Sequence, residues 1–179
     1  MSDIFFISDL HLGHTGALTW ARKFRDGKDI EEHDQILIDK INSVVGPRDT
    51  LYMVGDITWR DNKLFMIDQI NCKKYLVRGN HDDLPIAEYM NYFEEVYGLH
   101  KKYGYWLSHA PIHPAELRSM QNIHGHTHQN SIMMDAFFTE TNVPEYDKRY
   151  INVSIECLNG YPVSLDEIRD GTYWKRKIV

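Results

Sequence analysis

The residues of this chain able to hold metal ions and activate water stand in five short groups: Asp9-x-His11, Asp56, Asn80-His81, His109 and His126-x-His128. Each group adjoins a glycine or closes an apolar run. Carboxylate, amide and imidazole donors without thiolates suit Mn, Fe, Zn, Co or Ni. Two such cations about 3.5–4 Å apart clamp both the attacking and the leaving oxygen of a phosphoryl displacement, and one shared carboxylate bridges them naturally. The pattern points to a two-metal hydrolytic centre.

Such a centre needs elements that bring the groups together. Ile4-Phe5-Phe6-Ile7 is a continuous apolar run ending at Ser8-Asp9, as a buried strand would be. Leu37, Ile38, Ile41, Val44 and Val45 mark one face of a helix that Gly46-Pro47 ends. Thr50 to Val54 reads as a second strand, Leu64, Ile67 and Ile70 as a second helix, and Tyr75-Leu76-Val77 as a third strand. This β-α-β-α-β series calls for parallel strands covered by helices. From Glu95 onward the runs around Val96-Tyr97, Tyr105 to Leu107, Asn122 to His124 and Tyr150 to Val153 are short and strand-like, which suggests a second sheet packed on the first. Gln129 to Arg149 lacks periodicity and reads as a long loop near the site, and Ser164 with Glu167 has the spacing of a capping box. Asp9, Asp56, Asn80 and His109 each follow the apolar run of an expected strand. In open α/β sheets the crevice beyond the carboxyl ends is where ligands bind.

Composition narrows the class. The 179 residues, 42% hydrophobic and 26% charged, suit one globular domain spanning 1–179. A net charge of -6 and the lack of a basic stripe argue against stable binding of duplex nucleic acid. The first residues lack a basic stretch, so no signal peptide is expected, and no apolar run approaches the roughly 18 residues of a membrane span. Cys72 and Cys157 share no metal-site spacing and read as reduced structural thiols, which suits a cytoplasmic protein. Nothing in the pattern sets an oligomeric state.

The ordered motifs Asp9-Leu10-His11, Gly55-Asp56, Gly79-Asn80-His81-Asp82, His109 after Leu107-Ser108, and Gly125-His126-Thr127-His128 resemble those of the calcineurin-like metallophosphoesterases. The opening Asp-Leu-His-Leu-Gly-His, Asn152-Val153 and Pro162 to Ile168 further resemble a group of short bacterial and phage phosphoesterases. The resemblance implies an α/β fold of four layers, αββα, a two-sheet β-sandwich flanked by helices. It implies one metal on Asp9, His11 and His128, a second on Asn80, His109 and His126, and Asp56 as the bridge. Mn is the expected ion, with Fe, Zn, Ni or Co as substitutes. A hydroxide bridging the metals would attack phosphorus, and His81 would act as general acid. The substrate expected is a small or flexible phosphate ester or nucleotide, diesters favoured because no strong pair of arginines grips a dianionic monoester. A nuclease acting on single-stranded or short nucleic acid is the alternative, and a non-catalytic metal-binding scaffold the second.

Other residues carry two readings. His14 completes the first motif and could meet substrate. Arg60 stands four after Asp56, where the family's serine/threonine phosphatases carry a phosphate-binding arginine, but Trp59 precedes it where they have aspartate. Asp82 could orient His81 or cap a helix near Pro85. Gly79 suggests a turn at positive φ. His113, His124 and Arg78 default to structural roles, and Trp20, Trp59 and Trp106 could stack a base but more often close an apolar core.

Overall fold

The first apolar run forms a strand, β1 (Ile4–Ile7), with Phe6 and Ile7 wholly buried. The computed structural model describes residues 2–59, 63–135, 138–141 and 143–176. After β1 come α1 (Ala17–Trp20), α2 (Ile30–Asn42), β2 (Thr50–Met53), β3 (Lys73–Val77), α3 (Ile86–Tyr89), β4 (Glu95–Tyr97), β5 (His100–Lys102), β6 (Tyr105–Ser108) and β7 (Gln121–His124). The chain continues with β8 (Met133–Met134), β9 (Glu145–Tyr146), β10 (Tyr150–Asn152), α4 (Ile155–Leu158), β11 (Val163–Ser164), α5 (Leu165–Arg169) and α6 (Thr172–Arg176). A five-stranded sheet runs β11-β1-β2-β3-β4, parallel except for β11, and a four-stranded sheet runs β10-β7-β6-β5 with β10, β7 and β6 parallel. The protein is thus a mixed α/β fold with two main sheets and helices.

Strand alternation divides the core in two. Phe5 and Ile7, with Leu51 and Met53, pack against Leu37, Ile38 and Ile41 of α2. Phe6, Tyr52 and Val77 face the other way and meet Leu107, Ile123 and Ile151 of the second sheet. A period of two sends neighbouring side chains to opposite faces. That is why continuous apolar runs, not alternating ones, mark the central strands.

Some elements differ from the sequence expectation. Helix α2 begins at Ile30, where the Asp29 carboxylate accepts the Glu32 amide at 2.9 Å and Glu32 accepts the Lys28 amide at 2.7 Å. It stops at Asn42, before Val44 and Val45: the Ser43 hydroxyl donates to the Lys40 carbonyl, and Val45 reaches the core from the following turn. The Leu64, Ile67, Ile70 segment is a 3₁₀ helix, Leu64–Gln69. Its apolar spacing of three and three matches three residues per turn, where an α-helix would drift. Val96-Tyr97 joins the first sheet beside β3. The Gln129 to Arg149 segment, expected as a loop, instead carries the β8-β9 ribbon, whereas the Ser164–Glu167 capping box forms as expected. Neither cysteine is in a disulfide, and among the described residues no helix is long and apolar enough to cross a membrane.

One acid on α2 is buried without full compensation. Asp34 Oδ2 accepts the Gly13 amide at 2.9 Å and lies 4.0 Å from Lys63 Nζ, while its Oδ1 has no hydrogen-bond partner. Burial raises its pKa to about 6 against the pull of those two groups. An unfolded aspartate titrates near 3.9, so the fold binds this proton more tightly than the unfolded chain. The stability that proton contributes is present at low pH and lost as pH rises from about 4 to about 6. Asp34→Asn keeps an acceptor for Gly13 and is expected to stabilise the protein at pH 7 by on the order of 2 kcal/mol. Urea midpoints of the two proteins should converge near pH 4.

Candidate metal centre

The ligand-type residues follow strand carboxyl ends on both sheets: Asp9 after Ile7, Asp56 after Met53, Asn80 after Val77, His109 after Ser108 and His126 after His124. Beyond the strands the backbone keeps pairing, with Val54 N donating to Ile7 O at 2.8 Å, Asp9 N to Gly55 O at 3.0 Å and His11 N to Asp56 O at 3.0 Å. The Ile155 amide donates to Ser8 O at 3.1 Å and joins the second sheet's edge to the first. The two edges are therefore held in register where the side chains converge.

Convergence requires sharp bends. Asp9, His11, Asp56, His126 and His128 take left-handed φ values of 61°, 49°, 55°, 68° and 49°. This conformation costs a non-glycine residue on the order of 1–2 kcal/mol. Such strain concentrates at functional sites, where surrounding bonds over-determine it.

Two clusters result, Asp9-His11-His128 and Asp56-His109-His126, each with its donor atoms within 4.8 Å of one another. Asp9 Oδ2 is taken up by the hydroxyls of Ser8 at 2.5 Å and Ser154 at 2.8 Å and by the His126 amide at 3.0 Å. Its Oδ1, which shares the His126 amide at 3.2 Å, faces His11 Nε2 at 3.9 Å and His128 Nε2 at 4.0 Å. Asp56 is split the same way: Oδ1 accepts the His81 amide at 2.9 Å, and Oδ2 lies 3.6 Å from His11 Nε2 and 3.2 Å from His109 Nε2. One carboxylate oxygen thus faces both clusters. His109 Nδ1 lies 2.9 Å from the Val54 carbonyl, which can only accept, so a proton sits on Nδ1 and Nε2 is the nitrogen that faces Asp56. Neither His11 Nε2 nor His109 Nε2 has a hydrogen-bond partner.

The charges reflect this crowding. Burial pushes the Asp9 carboxyl above the usual range, opposed only in part by His109 and His128. Burial acts upward on Asp56 too, but contact with His109 outweighs it and holds the carboxyl at about 2. Burial would lower His109, yet Asp56 and Asp9 raise it to about 9, while burial takes His11 down to about 3. The buried carboxylates are met by protons on imidazoles, and divalent cations would exchange for those protons.

The remaining site residues fall into place around this pair. Asn80 lines a groove of about 440 Å³ together with His109, His126, Arg78 and Leu99. His81 belongs to neither cluster, its ring centre lying 5.5 Å from His11 and 4.7 Å from Trp59. His14 stacks on Trp59 at 3.8 Å and stands 5.6 Å from His11, at the rim. Arg60 lies outside the described residues. Asp82 serves neither expected role: its carboxylate accepts the amides of Asp56 at 2.8 Å, Ile57 at 2.9 Å and Gly79 at 2.8 Å. Arg78 donates to the carbonyls of Asp82 and Leu84. His113 caps the short 3₁₀ turn at Pro114–Glu116, and His124 is buried against Gly125 O. Trp20 is 47% exposed beside His128, whereas Trp106 bonds Leu117 O away from the clusters.

Gly79 does not take the positive φ expected of it; close approach is what demands glycine there. A Cβ would sit 2.1 Å from Asp56 Oδ1, and at Gly125 a Cβ would sit 1.8 Å from Ser8 Oγ and 2.4 Å from Asp9 Oδ2. Gly125→Ala is expected to destabilise the metal-free protein by about 1–3 kcal/mol, read as a lower Tm, and to weaken metal binding by displacing Asp9.

Sequence reading missed the frame that Asn152, Ser154 and Glu156 build. Asn152 Nδ2 donates to His128 O at 2.7 Å, Ser154 holds Asp9, and Glu156 Oε1 lies 3.3 Å from His128 Nδ1. Buried Arg25 pairs with Glu156 at 2.6 Å. A glutamate set among Val153, Ile155, Cys157 and Leu158 was the available signal, because a buried acid needs a partner.

The uncharacterized protein MJ1445 of Methanocaldococcus jannaschii is 31% identical over 173 residues, covering 94% of this chain and 90% of that one. The gene 66 protein of Mycobacterium phage L5 is 33% identical over 207 residues, covering 95% and 94%. The chain belongs to the family of MJ1445 and gene 66. A further member of the MJ1445 and gene 66 family, the gene 66 protein of Mycobacterium phage D29, is 28% identical over 210 residues. Among solved structures, the protein of unknown function AQ665 from Aquifex aeolicus superposes with a TM-score of 0.70 at 25% identity, covering 95% of this chain and 99% of that one. No family model matches the sequence.

Proposed function

We propose that this protein is a dinuclear metal-dependent phosphoesterase of the calcineurin-like type, built as a four-layer αββα sandwich and acting on small or flexible phosphodiesters. The observation that carries the reading is Asp56 Oδ2, set 3.6 Å from His11 Nε2 and 3.2 Å from His109 Nε2. A neutral imidazole lone pair facing a carboxylate oxygen is a repulsive contact unless a proton or cation lies between them. The donor set fits divalent cations of the Mn, Fe or Zn kind, with Asp9, His11 and His128 holding one, Asn80, His109 and His126 the other, and Asp56 shared. Such a pair supplies the Lewis acid that polarises a phosphoryl group and makes water acidic near neutral pH.

The chain's own residues supply the rest. His81 is held beyond the bridging carboxylate by the hydrogen bond its main-chain N–H donates to Asp56 Oδ1, which frees its ring to protonate the leaving oxygen. The Asn80 carboxamide lines the groove where substrate would lie. Arg25 is engaged with Glu156, and Arg78 with the Asp82 and Leu84 carbonyls. Neither is available to grip a dianionic monoester, which favours diesters. Two cysteines outside any disulfide suit a reducing, cytoplasmic setting.

Protein stripped with chelator and reloaded with Mn, assayed on bis-p-nitrophenyl phosphate, p-nitrophenyl phosphate and a single-stranded oligonucleotide, tests the reading. Metal-dependent turnover, fastest on the small diester, is expected. Preference for the oligonucleotide would make the protein a nuclease. Metal-loaded protein inert on all three would overturn the hydrolase assignment.

A further inference from the structure

The two clusters are alike in ligand type but not in what stands behind them. His109 Nδ1 is bonded to a neutral backbone carbonyl, Val54 O, at 2.9 Å. His128 Nδ1 instead faces the carboxylate of Glu156 at 3.3 Å, and Glu156 is wholly buried with its Oε2 lacking any hydrogen-bond partner. An acid is costly there unless its charge is used.

Its counter-ion reaches the same cluster from the other side. Arg25 Nε and Nη2 donate to Glu156 Oε1 at 2.9 and 2.6 Å, Nη2 also donates to Asp9 O at 2.9 Å, and Nη1 to Leu10 O at 2.9 Å. One guanidinium therefore fixes the backbone between Asp9 and His11 and the carboxylate behind His128. Asp9 and His128 of the first cluster are thus tied directly to this pair, and His11 follows the held Leu10 carbonyl. In the second, His126 is exposed and Asn80 lines an open groove.

We propose that Arg25 and Glu156 are positioning residues that make the two half-sites unequal, so that the Asp9-His11-His128 half-site fills first and more tightly. The inference rests on the metal-centre reading above. A carboxylate behind a ligating imidazole fixes its tautomer and raises its basicity, and removing such a partner typically weakens metal binding 10- to 100-fold. A backbone carbonyl fixes the tautomer with less charge, and exposed ligands must be ordered from water.

The test is a Mn titration of chelator-stripped protein, followed by calorimetry and by the Mn electron paramagnetic resonance signal. Native protein should bind about two ions in two resolved steps. In Glu156→Gln the tighter step should weaken about 10- to 100-fold while the weaker step holds. The double variant Arg25→Met with Glu156→Gln removes both buried charges together and should lose the same step, and circular dichroism of the metal-free variants monitors the fold. Unchanged steps, or equal weakening of both in a folded variant, would overturn the proposal. Native protein that binds no Mn would instead refute the metal-centre reading itself.

Discussion

Asp56→Asn is expected to lower bound metal from about two ions per chain to fewer than one and to reduce phosphoester turnover by on the order of 10³-fold. The amide still accepts the His81 N–H through its oxygen, so the turn after β2 survives. Its NH₂ then points toward His11 and His109, where an anionic oxygen stood 3.6 and 3.2 Å from their Nε2 atoms. The only oxygen facing both clusters, among the described residues, would be replaced by a group that cannot bind a cation. Metal analysis after gel filtration checks the first part and a diester assay the second. A variant that retains about two ions would refute Asp56 as the bridge.

His81→Ala should separate chemistry from metal binding. The main-chain N–H, not the ring, holds Asp56 Oδ1, so alanine leaves that bond at 2.9 Å in place. Metal content is expected to match the native protein. Turnover of diesters with alkoxide leaving groups should fall about 10²- to 10⁴-fold, the usual worth of a general acid. Esters of p-nitrophenol, whose leaving oxygen needs no proton, should lose much less. Metal loss equal to that of Asp56→Asn would remove the distinction drawn between ligand and acid.

The sheet strands and the residue groups that gather beyond their ends were legible because both depend on local pattern. Continuous apolar runs reported strands buried on two faces, and polar groups closing those runs had to emerge at a common edge. Helical detail was harder to read. Leu64, Ile67 and Ile70 fit two helix types, and the period alone separates them only when both intervals are seen to be three. Val96-Tyr97 reads as a strand, but which sheet it joins depends on β3 offering a free edge. Within the site, residue types were readable, but the unequal bonding that turns one oxygen of each carboxylate toward the imidazoles was not. That inequality is made by Ser8, Ser154 and His81, through contacts up to 145 residues apart in sequence. Arg25 left no trace in the pattern, since a lone arginine in a polar stretch looks like any surface residue.

Asp82 carries a consequence for how such a site diversifies. Its carboxylate staples the turn after β2 to the turn after β3, through three backbone amides and without facing the groove. It acts as a ruler: the separation of Asp56 from the Asn80-His81 turn is set by a buried carboxylate that does not line the groove. Loops around the groove can then lengthen, shorten or change sequence while the spacing of the two clusters stays constant.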